Sequence, residues 1–260
     1  MRGALWDRLR DAVLPAAKPA VPRVAVKRVV PVQLEVLPLP GGPARIEWRR
    51  NARARRVSLR IDPKGGGVVI TLPQRAARQA GMALLMDNAA WVSERLAALP
   101  RAIAFVDGAV VPLHGAPHRI CHVPGQSGAR VVGGEIHVGG DAAFLARRVT
   151  DFMRATARER LAKLALDKAE MAGLRPKRVS VKDTRSRWGS CASDRSLAFS
   201  WRLILAPPHV QEYVAAHEVA HLRHMNHGPA FWALVDELTP HTAAAMAWLR
   251  DEGPGLLRVG

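Results

Sequence analysis

Apolar and polar side chains alternate along the chain near residue 60. Residues 56–61 alternate with a period of two, which predicts a half-buried β-strand. Residues 62–67, Asp-Pro-Lys-Gly-Gly-Gly, have the composition of a turn, and the apolar run 68–72 follows directly. The two runs therefore predict a β-hairpin, preceded by another strand over residues 45–48.

Two longer stretches carry apolar residues at helical spacing. Residues 75–99 predict a helix, whose buried side comprises Met82, Leu85, Met86, Ala89, Val92 and Leu96. Residues 141–173 predict a long helix, with Gly173 as its stop signal. Between them, residues 103–138 are short apolar runs broken by Gly and Pro, which predict short strands.

The C-terminal third begins with two further predicted strands, over residues 178–183 and 197–205. The apolar residues of the second strand fall on one face, and we predict that the two strands pair. The connection between them is long for a hairpin, which makes it a candidate functional loop. Pro207 and Pro208 then favour the start of a helix.

Residues 1–43 are predicted to form a Pro-rich disordered tail. Seven prolines fall there, at positions 15, 19, 22, 31, 38, 40 and 43. Proline lacks an N–H group and restricts the residue before it, so regular structure is not expected between these positions.

The chain is strongly basic. Its 260 residues include 39 Lys and Arg against 22 Asp and Glu, a net charge of +17. A field of this sign attracts nucleic acids and nucleotides, and the Arg-rich segments 45–60 and 175–202 are where such contact is predicted. Trp48 is the single aromatic residue of segment 45–60 that could stack on a base. The competing interpretation is therefore that these arginines form a solvated basic surface without a nucleic-acid partner.

The sequence predicts a cytoplasmic protein. No apolar run reaches the ~20 residues of a membrane-spanning helix, and the charged N-terminus lacks the apolar stretch of a secretion signal. Cys121 and Cys191 are the two cysteines, too few for a disulfide framework. The oligomeric state stays open.

The predicted helix after Pro208 contains the motif His217-Glu218-Val219-Ala220-His221. Histidines four residues apart lie on one face of a helix, so both imidazoles can bind one Zn²⁺ ion. Glu218 follows the first ligand directly and can act as general base toward a water activated by the metal.

Catalytic zinc takes three protein ligands and keeps one position open. His227, six residues after His221, is the best third candidate, provided that the chain turns back between them. Met225-Asn226 and Gly228-Pro229 suit such a turn. Metzincins have the same interval but carry Gly where this chain has His224, so we do not assign it to them.

The motifs of the C-terminal third resemble those of the YgjP-like branch of SprT-like zinc metallopeptidases. The resemblance is carried by Trp188-Gly189-Ser190-Cys191, by residues 201–208 and 213–214, by the HEVAHLRHMNH run and by Phe231-Trp232. It implies His217, His221 and His227 as zinc ligands and Glu218 as the catalytic acid/base.

The resulting fold prediction is α+β. We expect a tail over residues 1–43, an N-terminal β-rich module with a helix over 44–140, and a zincin-like catalytic module over 141–260. The predicted strand 197–205 is the expected site for an extended peptide substrate.

Two alternatives to a zinc metallopeptidase stay open. The first is a zinc-dependent hydrolase of nucleotides or other phosphoesters, favoured by Arg185 and Arg187 in the candidate loop. The second is a basic DNA-associated protein with structural zinc, which would need a fourth ligand such as Cys191.

Phe231 and Trp232 are predicted to pack behind the site.

Overall fold

The structure, a computed structural model, describes residues 33–184 and 187–260. Its mixture of small sheets and helices confirms the α+β prediction. The first sheet has the strand order β1-β2-β4-β3, and its strands are β1 (Gln33–Leu39), β2 (Gly42–Asn51), β3 (Ser58–Asp62) and β4 (Gly67–Pro73). Strands β3 and β4 pair antiparallel, which confirms the predicted hairpin.

The prediction of a tail is wrong for residues 33–43, because β1 and the start of β2 form an antiparallel pair there. Pro38 on the edge strand β1 lies opposite Pro43, which is near the start of β2 and precedes the residues that pair with β4. The missing N–H group of proline is tolerated at such positions. The remainder of the predicted tail, residues 1–32, lies outside the described residues.

The helix predicted over residues 75–99 is two helices, α1 (Arg78–Asp87) and α2 (Ala89–Ala97). The break falls at Asn88, whose side-chain amide donates to the Leu84 carbonyl 2.8 Å away. Both helices cover the first sheet and complete a small hydrophobic core with it.

A second sheet, with the order β5-β6-β8-β7, accounts for the short strands predicted over residues 103–138. Its strands are β5 (Val110–Leu113), β6 (Ala116–Val123), β7 (Ala129–Val132) and β8 (Glu135–Gly139). Its buried side belongs to the larger hydrophobic core, together with the helix α3 (Leu145–Met171). Along the chain, the last buried residue of the smaller core is Val92 and the first of the larger core is Phe105. The two cores therefore divide between these residues, whereas the predicted module boundary was at 140.

The remaining elements form the C-terminal third. A three-stranded sheet has the order β10-β11-β9, and its strands are β9 (Arg178–Lys182), β10 (Gly189–Cys191) and β11 (Ser196–Ser200). Four helices follow: α4 (Pro208–Ala220), α5 (Pro229–Leu238), α6 (Thr242–Asp251) and α7 (Gly253–Leu256). None of the described helices is long and apolar enough to cross a bilayer.

The strand predicted over residues 197–205 is shorter than expected. Strand β11 ends at Ser200, and Trp201–Leu205 form a 3-10 helix. Strands β9 and β11 do pair, in parallel, while β10 occupies the other side of β11. Both sides of β11 are thus occupied by neighbouring strands.

Arg202 is a buried residue that binds the C-terminal end of the chain, at Val259, through a hydrogen bond. It is 1% exposed, and its Nε donates to the Val259 carbonyl 3.0 Å away. Its guanidinium also pairs with Asp183, which accepts a second hydrogen bond from Lys64 Nζ at 2.9 Å. Burial opposes ionisation of Asp183, but the hydrogen bonds from Lys64 and Arg202 hold the pKa of this carboxyl below its usual range.

We expect Asp183→Asn to lower the free energy of unfolding by about 3 kcal/mol at neutral pH, because it leaves a buried guanidinium without its counter-ion. Since the pKa of Asp183 is lowered in the folded state, its contribution is present above the ordinary carboxyl pKa of about 4 and is lost as the pH falls through the folded value. Urea unfolding of wild type and variant between neutral and acidic pH measures the difference. Lys64→Met removes the more exposed of the two cations that donate hydrogen bonds to Asp183, and it should lower the free energy of unfolding by at most about 1 kcal/mol. Equal losses of stability in both variants would contradict the assignment of Asp183 as the counter-ion of Arg202.

Candidate metal centre

Helix α4 is positioned by contacts at its N-terminal end. In the turn between β5 and β6, the backbone N–H groups of His114 and Gly115 donate hydrogen bonds to the carbonyls of Ile204 and Leu205. The donor–acceptor distances are 2.8 and 3.0 Å. Gly115 has a φ of +80°, and a Cβ there would lie 2.9 Å from Pro207 Cα, so this close approach requires glycine. The second sheet therefore holds the entry to α4 in place.

The HExxH motif spans the C-terminal end of α4. His217 and Glu218 belong to its last turn, and His221 is the C-cap residue. The helix ends at Ala220, earlier than the Met225-Asn226 end that the sequence suggested. The chain then turns through residues 221–228 before α5 begins, which returns His227 to the histidines of α4.

The structure brings His217, His221 and His227 together. One ring nitrogen from each lies within 4.8 Å of the others, and the Nε2 atoms of His217 and His227 are 3.3 Å apart. Zinc–nitrogen bonds of about 2.0–2.1 Å at tetrahedral angles separate two ligand nitrogens by about 3.3 Å. The described side chains thus fit a zinc ion.

Hydrogen bonds at the opposite ring nitrogens support the same assignment. His221 Nδ1 lies 3.0 Å from the His224 carbonyl, which can only accept, so Nδ1 carries the proton and Nε2 keeps its lone pair. His217 Nδ1 lies 3.5 Å from the Tyr213 hydroxyl. Such partners orient metal-binding imidazoles. The role of Tyr213 was missed, although its position one helical turn before His217 is a usable signal.

The electrostatics of the cluster favour the neutral forms of His217 and His221. Burial, followed by the neighbouring His221 and His227, lowers the pKa of His217 to about 4. Burial also lowers the pKa of His221. Neutral imidazole is the form that binds metal ions.

An aromatic pair packs behind the three histidines, as predicted. The fully buried Phe231 ring lies 5.0, 4.6 and 4.7 Å, centroid to centroid, from His217, His221 and His227. Trp232 stacks on His227 at 5.8 Å. These contacts restrict the histidine rotamers from the side of α5.

Glu218 lies in a nearly closed environment beside the cluster. It is 6% exposed, and burial raises the pKa of its carboxyl to about 7, with the Arg187 charge opposing this shift. Strand β10 covers it closely: a Cβ added to Gly189 would lie 2.7 Å from Glu218 Cδ. Because glycine has no Cβ, Gly189 allows the backbone of β10 to approach the Glu218 side chain.

The other candidate ligands lie apart from this cluster. Cys191 is absent from the group of converging ligand atoms in the described part of the chain, and its Sγ lies 3.6 Å from the Ala192 carbonyl. His114, His118 and His122, which recur every four residues, do not form a metal-binding group among the described residues. Arg185 lies outside the described residues, whereas Arg187 is exposed.

Among the comparisons with known proteins, the family match agrees with the site. No curated protein matches the chain. Among solved structures, the metallopeptidase zymogen of Pyrococcus abyssi abylysin is similar over 36% of this chain and 92% of its own, with 16% identity and a TM-score of 0.32, which carries no argument. The family described as "YgjP-like, metallopeptidase domain" matches residues 55–252, which include all three histidines and Glu218. Since this match spans most of the sequence, the chain belongs to the YgjP-like metallopeptidase family.

Proposed function

We propose that the protein is a zinc-dependent peptidase in which Glu218 is the general base. Its family makes it a metal-dependent hydrolase in general. The observation that supports the finer proposal is the buried carboxylate of Glu218 next to three converging imidazoles. These are the components that hydrolysis by an activated water requires.

His217, His221 and His227 would hold the ion through their Nε2 atoms. When bound, zinc polarises a carbonyl and lowers the pKa of water to about 7. Glu218 accepts the proton from the attacking water and passes it to the leaving amine. A carboxyl with a pKa of about 7 is suited to both transfers, because neither protonation state is strongly disfavoured near neutral pH.

Strand β10 is the better candidate for binding an extended peptide. The sequence pointed to residues 197–205, but β11 is central in its sheet and its backbone groups are already paired. Strand β10 is an edge strand, pairs with β11 alone in the described sheet, and lies directly over Glu218. A peptide added to this edge would bring a scissile bond to the carboxylate.

We expect Gly189→Ala to lower kcat/KM about 10²-fold while zinc binding is retained. The new Cβ would lie 2.5 Å from Glu218 Cγ, 2.7 Å from Cδ and closer still to Oε1, so the carboxylate must shift. A displacement of about 1 Å is enough for such a loss. Steady-state kinetics and metal content measure the two properties. The control is Gly255→Ala, whose Cβ would have ordinary contacts of 3.7 Å with Pro100; wild-type activity in Gly189→Ala would contradict the close fit.

A phosphoester or nucleotide hydrolase is the second candidate. It is favoured by the Arg187 guanidinium, whose charge acts on Glu218 and which could bind a phosphate. A structural zinc site is disfavoured, because no fourth protein ligand joins the three histidines among the described residues. Contact with nucleic acid through the Arg-rich segments stays a proposal.

A parallel screen of wild type and Glu218→Gln tests the bond type. Both proteins are incubated with unfolded proteins, a peptide pool and nucleoside triphosphates. We expect the wild type to generate new amino termini from polypeptides and the variant to generate none. Release of phosphate or pyrophosphate without any new amino termini would reject the peptidase proposal in favour of the second candidate.

A further inference from the structure

A second group of metal-binding side chains lies on the second sheet, on elements that do not contribute to the histidine cluster. Its members are Cys121 on β6 and Glu135 and His137 on β8. One ligand atom from each lies within 4.8 Å of the others. All three residues are half-buried, so the group is neither freely solvated nor sealed in the core.

The strand register brings these side chains to one face. Cys121 is directly opposite His137 in the parallel pair of β6 and β8. Glu135 precedes His137 by two residues and therefore projects to the same side. Ile120 and Ile136, on the opposite side, are fully buried in the larger core. The three polar side chains thus project from the outer face of the sheet.

The side chains point toward one another. His137 Nε2 lies 2.9 Å from a carboxylate oxygen of Glu135. Arg119 is opposite Glu135 in the strand register, yet the Glu135 carboxylate contacts the His137 ring. The Cys121 Sγ lies within 4.8 Å of a carboxylate oxygen of Glu135. Burial and this neighbouring carboxylate raise the pKa of the Cys121 thiol. One carboxylate is therefore the common neighbour of the other two ligands.

The donor set has a definite metal preference. A thiolate, an imidazole and a carboxylate are the three ligand types of protein zinc sites. Alkaline-earth ions prefer oxygen ligands alone, so this combination favours a borderline transition metal. The two anionic ligands also balance the charge of a divalent ion, which lowers the cost of placing it at a half-buried position.

We propose that Cys121, Glu135 and His137 form a second site for Zn²⁺ or a similar transition metal. Three protein ligands leave a fourth position for water. Such an ion would connect β6 to β8 and would stabilise this sheet by mass action. The site shares no residue with the histidine cluster, so it does not depend on the proposed peptidase function.

Cobalt substitution distinguishes the two sites by their chemistry. Ligation by a thiolate gives Co²⁺ a sulfur-to-metal charge-transfer band in the near ultraviolet, whereas three histidines supply no sulfur. We therefore titrate Co²⁺ into the full chain carrying His217→Ala, which removes a ligand of the other cluster. The band is expected in this chain, and an excess of Zn²⁺ is expected to abolish it.

Further substitutions in the same chain test whether the charge-transfer band arises from the Cys121 thiolate. Cys121→Ser is expected to eliminate it and to remove one bound Co²⁺ per chain, while Cys191→Ser should leave both unchanged. His137→Ala retains the thiol and should still reduce binding at least tenfold, which separates loss of a ligand from loss of a cysteine. Circular dichroism verifies that each variant is folded. Absence of the band from the parent, or its survival in Cys121→Ser, would overturn the proposal.

Discussion

Glu218→Gln is expected to lower kcat about 10²–10⁴-fold, the range for loss of a general base. The amide occupies nearly the same volume as the carboxyl, so the tight fit against Gly189 should survive. It cannot accept the proton that the mechanism assigns to Glu218. Because the three imidazoles are untouched, metal content and thermal stability should stay close to those of the wild type.

Glu237→Gln is the matched control, since it makes the same chemical change at an exposed position of α5. Its activity should equal that of the wild type. Kinetics on the best substrate from the screen, with metal content measured on the same preparations, separate the two variants. Full activity in Glu218→Gln would remove Glu218 as the base, and loss of metal would show that it acts through the fold of the site.

The sequence predicted the core of this site because its signal is local. Two histidines at an interval of four residues share a helical face whatever surrounds them, and the interval to His227 requires only that the chain turn back. The end of α4 was misplaced, because Leu222 continues the apolar pattern beyond Ala220. In the structure the chain leaves the helix at His221 and turns over residues 221–228 before α5 begins at Pro229.

Other features arise from contacts between distant segments. The proximity of Gly189 to Glu218 is a contact between β10 and α4. In the sheet, β9 and β10 lie on opposite sides of β11, an order that the local sequence does not specify. Strand β1 was taken for part of a tail because Pro38 disrupts the sequence pattern, yet an edge strand accommodates it. The α+β class followed from element types alone and needed no such contacts.

His217→Ala is expected to remove about one equivalent of zinc per chain relative to the wild type, together with hydrolytic activity. Catalytic zinc needs three protein ligands, and His217 is central to the cluster: its Nε2 lies 3.3 Å from that of His227 and its ring 4.9 Å, centroid to centroid, from that of His221. Elemental analysis after dialysis measures the zinc. His209→Ala, a replacement two turns earlier on α4, is the control and should retain the metal.

Thermal unfolding tests the same assignment without reference to activity. A metal that binds the folded state and is present at about 100 times its Kd stabilises the protein by about 3 kcal/mol. Zinc should therefore raise the Tm of the wild type and of His209→Ala. The increase should be smaller in His217→Ala, and any remaining increase should disappear when Cys121→Ser is added, because the second proposed site is then also incomplete. An undiminished zinc effect in His217→Ala would exclude His217 as a ligand and leave the HExxH motif without its first histidine.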